Sequence, residues 1–171
     1  MATEYDYQLN PPKRVKQQSR ATCWAAAFES VLATLAYSPQ LTEKELVDAY
    51  GVKWAGGGLR VKTLETIAQR FGFIFNSFDS TATKSTFTDR FVMERLQKAG
   101  PVLAAAYVTS MGGAPWFHAQ VIWGVTYMIQ QDIGTGNSLL NTMNPAGGKY
   151  ALYPLWYFTK NVPLFTCWRN A

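Results

Sequence analysis

Two cysteines and one histidine limit the nucleophilic chemistry open to this 171-residue sequence. Cys23 lies in QQSRATCWAAA, six residues after a glutamine, where a polar run gives way to an alanine-rich apolar one. The thiolate is the nucleophile, and a free thiol is mostly protonated near neutral pH. One residue after Thr22, which reads as an N-cap, Cys23 would meet the positive end of a helix and its unpaired N–H groups. That placement favours the thiolate and a low-pKa, reactive sulfur. A catalytic thiol also needs an imidazole to hold its proton and deliver it to the leaving group. His118 is the one histidine, and it opens the run FHAQVIWGV after a glycine-rich turn. A histidine at a strand start can face the edge of a cleft.

These two residues need a frame. Over 22–37 apolar residues fall on nearly every face, as expected of a central buried helix, and Ser38-Pro39 would end it. Thr42-Glu43-Lys44-Glu45 reads as a capping box that opens a short helix to about residue 50. Val61, Leu64, Ile67, Ala68 and Phe71 recur at helical spacing, with Gly72 as the C′ residue. A short strand is expected over 73–78, and another helix over 88–99, closed by Gly100-Pro101. The remaining runs, 102–108, 117–128, 138–143, 150–153 and 162–168, read as strands. Helices first and strands second imply an α+β fold, with helices packed on an antiparallel sheet. No repeat or linker divides the chain, so one domain is expected over 1–171, with 1–16 extended.

Composition narrows the classes further. With 48% hydrophobic and 16% charged residues, the chain has the balance of a folded protein. The net charge of +5 is scattered, densest at Lys13, Arg14, Lys16 and Arg20. That is no stripe with interleaved aromatics, so no nucleic-acid partner is expected, whereas an acidic protein partner would suit it. Cysteine pairs at zinc spacing are lacking, and no metal or cofactor is expected. The uncharged stretch 99–131 is broken by Gly100-Pro101, Met111-Gly112-Gly113 and Pro115, which favours buried strands over a membrane span. The amino terminus carries no apolar signal core, so an ordinary secretory route is not expected.

The neighbours of Cys23 and His118 carry a resemblance. QQSRATCW resembles the nucleophile segment of papain-like cysteine peptidases, in which a glutamine stands six positions before the cysteine and a tryptophan follows it. FHAQVIWGV is similar to the family's histidine segment, in which a glycine follows the histidine by six residues. It departs at Gln120, where an aliphatic residue is usual. LLNTMNPAGG resembles the Asp-Pro turn of compact bacterial members of the staphopain-like, avirulence-protease-like and bacteriocin-processing types.

The resemblance implies a cleft between a helical half and a β-rich half, with Cys23 as nucleophile and His118 as acid–base. Asn144 would orient the ring, with Asn141 as the alternative. The Gln17 amide and the Cys23 backbone N–H would hold the oxyanion. Loop position suggests Trp54 and Trp116, and adjacency suggests Trp24, as contacts to a protein or peptide substrate. The expected activity is an endopeptidase acting through an acyl-enzyme. A bacterial effector or toxin is the expected setting: delivered by a dedicated secretion system into a target-cell cytoplasm, with a cognate inhibitor protein. Glutamine deamidation or acyl transfer, a leader peptidase for double-glycine precursors, and a non-catalytic binding module are the alternatives.

Overall fold

The computed structural model describes residues 6–36, 40–52, 59–78, 86–108, 116–129, 136–160 and 163–170, with several side chains at the strand ends beside the gaps left out. A two-residue strand β1 (Tyr7–Gln8) is followed by a 3-10 turn (Arg20–Thr22), which runs directly into helix α1 (Cys23–Thr34). Helices α2 (Glu43–Tyr50) and α3 (Val61–Arg70) lead to strand β2 (Phe73–Phe78). Then come α4 (Asp89–Ala99), β3 (Val102–Val108), β4 (Trp116–Ile129), β5 (Gly136–Asn144), β6 (Lys149–Pro154), α5 (Leu155–Lys160) and β7 (Leu164–Arg169).

The strands form one antiparallel sheet in the order β2-β7-β3-β4-β5-β6, with β1 added beside β4. Alternation along β3 sorts the core into two layers. Leu103 and Ala105 pack with α1 and α3 residues such as Phe28, Leu64 and Ile67. Val102, Ala104 and Ala106 pack with Val92 and Leu96 of α4 and Phe158 of α5. Helices therefore cover both faces of the sheet, and the described strands within 99–131 are buried on both sides. No described helix is long and apolar enough to cross a membrane.

Most expected elements are present, with local corrections. Helix α1 is buried from Cys23 to Phe28, because alanine at 25–27 lets it approach the sheet closely. It stops at Thr34, where Ala36 adopts a left-handed φ of 49°; Tyr37, Ser38 and Pro39 lie outside the described residues. Thr22 makes no side-chain cap to α1. Its hydroxyl donates to the Ser19 carbonyl at 3.0 Å instead, closing the 3-10 turn. The Thr42 capping box is formed: the Thr42 N–H donates to Glu45 Oε2 at 2.8 Å and the Thr42 hydroxyl accepts from the Glu45 N–H. Gly72 ends α3 with φ 69°. Helix α5 has no counterpart in the sequence reading, since its aromatic run LWYFTK carries strand propensity and only six residues of pattern.

Candidate active site

The site is built where β4 outruns its neighbour. Pairing of β4 with β5 ends at Val121 with Met143, so the β5-facing edge of β4 is open from residue 117 to 120. An open edge leaves N–H and C=O groups that need partners. The first residue of α1 supplies them. The Ala119 N–H donates to Cys23 Sγ at 3.4 Å, and the Cys23 thiol donates to the Phe117 carbonyl at 3.6 Å. The sulfur is thus lodged against the backbone on both sides of His118.

His118 is 8% exposed, and its ring is held from the next strand. Asn144, the last residue of β5, places Oδ1 at 2.8 Å from His118 Nε2. The same Oδ1 accepts the Ala146 backbone N–H at 3.0 Å, while Nδ2 donates to the Tyr153 hydroxyl at 2.7 Å. A backbone N–H can only donate, so the atom facing it is the amide oxygen, and His118 Nε2 must carry the hydrogen. That leaves Nδ1 bare, as a proton acceptor. Thiol and imidazole do not hydrogen-bond each other in this resting arrangement.

Electrostatics matches a resting, uncharged pair. Burial pushes the Cys23 thiol above its ordinary range; donation from the Ala119, Trp24 and Cys23 N–H groups works against that shift, and the negative charge of Glu43 adds to it. The expectation of a low-pKa sulfur is therefore corrected: the helix amides act as anticipated, but desolvation outweighs them. Burial pushes His118 below its ordinary value, opposed by the Asn144 hydrogen bond.

The other sequence-derived candidates divide. Gln17 lies near the Asn144 turn, its N–H donating to the Pro145 carbonyl at 2.9 Å. Its side-chain Nε2 donates to the Ser19 carbonyl at 2.7 Å, so that hydrogen is committed locally. Asn141 is not at the ring: its Nδ2 donates to the Thr126 hydroxyl at 3.1 Å. Trp24 lines a cavity of about 370 Å3 beside Cys23, with Leu59, Val61, Leu64, Phe117 and Phe165 as further apolar walls and Arg20 and Arg60 also lining it. Trp54 lies outside the described residues; Trp116 begins β4, and its side chain is likewise outside them.

Sequence reasoning missed Tyr153, Ala119 as a donor to sulfur, and the cavity walls from α3 and β7. Only the helical spacing of Val61 and Leu64 hinted at a shared face. Gly124, six residues after His118, has a physical role: a Cβ there would meet Asn141 Nδ2 at 2.8 Å and Gln8 Cγ at 2.9 Å. It sits at the register shift in the β4–β5 pairing, between Ile122 and Gly124.

The fold is similar to that of the peptidase domain of Streptococcus ComA, a bi-functional ABC transporter involved in a quorum-sensing pathway. Identity is 16%, the TM-score is 0.56, and the match covers 92% of this chain and 98% of that one. A double glycine motif protease from an AMS/PCAT transporter, solved in complex with the leader peptide, is similar at 15% identity and TM-score 0.55, over 99% and 97% of the two chains. No curated protein matches the sequence significantly. The family model of the papain-like cysteine protease AvrRpt2 matches residues 5–161. The chain belongs to this family of papain-like cysteine proteases.

Proposed function

We propose that Cys23, His118 and Asn144 act as a triad that hydrolyses a peptide bond of a protein or peptide substrate. The observation that carries the reading is the 2.8 Å bond from His118 Nε2 to Asn144 Oδ1, which leaves Nδ1 to serve the thiol. In the first step the Cys23 proton passes to His118 Nδ1 and sulfur bonds to the scissile carbonyl carbon, whose oxygen becomes an oxyanion. The Cys23 N–H and the second hydrogen on Gln17 Nε2 stabilise that charge. The C–N bond then breaks as His118 returns the proton to the departing amine. Water, deprotonated by His118, attacks the thioester and releases the acid and the free thiol.

The thiol must leave the Phe117 carbonyl and meet the ring when substrate binds, since active-site hydrogen bonds commonly tighten only in the complex. The apolar cavity beside Cys23 suits an apolar side chain of the bound peptide. An effector or toxin acting in a target-cell cytoplasm, restrained by a cognate inhibitor, is the setting we propose. Both cysteines are free, as suits a thiol enzyme in a reducing compartment.

The test is mass spectrometry of a cell lysate treated with native protein and with Cys23→Ala. New peptide termini that need Cys23 support proteolysis. A gain of about one dalton at glutamine would replace it with deamidation, and no difference would favour a binding module.

A further inference from the structure

The turn after β5 reads Asn144-Pro145, where the compact bacterial segment it resembles reads Asp-Pro. The exchange creates a problem that the structure answers. A carboxylate presents two equivalent acceptors, so either oxygen can serve an imidazole. An amide presents one acceptor and one donor, and the wrong orientation would aim Nδ2 at His118. Two contacts select the right one: the Ala146 N–H on Oδ1, and the Tyr153 hydroxyl as acceptor for Nδ2 at 2.7 Å.

The first is local to the turn, but the second is built from elsewhere. Tyr153 is registered opposite Leu140, four positions before Asn144, and its ring leans along β5 to reach the amide. The ring is held by α5, lying 4.6 Å from the Tyr157 centroid and edge-on to Phe158 at 6.4 Å. Gln120, the departure from the family pattern, is buried on the His118 face of β4 and lies beside Tyr157.

We infer that Tyr153 is a positioning residue: its hydroxyl fixes the Asn144 amide and, through it, the tautomer of His118. This rests on the triad reading. A phenylalanine at 153 keeps the ring packing and removes only the acceptor, leaving Nδ2 half-buried without its partner.

The chain has a single histidine, so 15N-histidine NMR reads the His118 tautomer without overlap and without substrate. The native protein is expected to show hydrogen on Nε2. Tyr153→Phe is expected to show a mixture of tautomers, with kcat/KM down about fivefold to tenfold and the pH profile displaced. In an Asn144→Asp background the same substitution should leave the tautomer unchanged, because a carboxylate has no orientation to lose. Native-like tautomer populations in Tyr153→Phe, or an equal tautomer shift when Tyr153→Phe is combined with Asn144→Asp, would overturn the inference. Full peptidase activity in His118→Ala would instead overturn the triad reading, whatever the tautomer experiment gives.

Discussion

Asn144 Oδ1 stands 2.8 Å from His118 Nε2, at the point where β5 ends and β4 runs on paired with β3. The Ala146 N–H on Oδ1 and the Tyr153 hydroxyl on Nδ2 together hold the amide in this orientation. Asn144→Ala should lower kcat/KM about 100-fold while leaving the fold intact. Asn144→Asp should keep more activity than the alanine variant. Steady-state kinetics on purified variants checks both.

The pKa directions make a second prediction. Cys23 is raised, so its thiolate forms only as pH climbs beyond the ordinary thiol range, and iodoacetamide labelling should rise with pH there. Cys167, pushed up to about 12 by burial, should label later still. A labelling plateau for Cys23 below about pH 7 would show a preformed thiolate.

Linkage gives these shifts a stability consequence. Cys167 contributes stability that is fully present below the unfolded thiol value, near 9.0, and is lost as pH rises toward about 12. Depressed His118 acts oppositely: stability is full above its unfolded value, near 6.5, and falls as pH drops through it. Urea midpoints measured from about pH 5 to about pH 11 should therefore trace a dome.

The cavity offers a test of binding alone. Val61 is 36% exposed and lines the cavity wall, so Val61→Trp can fill the space without disturbing the core. KM should rise about tenfold with kcat nearly unchanged, the signature of lost uniform binding.

Gly124 tests the strand register. Gly124→Ala would drive a methyl group into Asn141 and Gln8, at a cost of about 1–3 kcal/mol. Thermal unfolding reads the loss.

The parts of this molecule legible in the sequence are those governed by local rules. The Thr42 capping box and Gly72 at the end of α3 each follow from neighbours within a few residues. Cys23 and His118 stood out because their types are rare here. The unread parts depend on distance through space. Nothing local in KYALYP says that Tyr153 will lean toward Asn144, and nothing near Cys23 says how deeply Ala119 and Phe117 will bury its sulfur. The expected thiolate failed for that reason: the helix start was visible, and the desolvation was not.

The central claim is that Cys23 forms a thioester with the substrate during peptide hydrolysis. Acid-quenched turnover, followed by mass spectrometry of the Cys23-bearing peptide, measures it directly with any substrate found in the lysate digest. The expected result is an adduct equal to the amino-terminal product less water, cleared by hydroxylamine and absent from Cys23→Ala. Cleavage that continues undiminished in Cys23→Ala, with no adduct on the native enzyme, would contradict it.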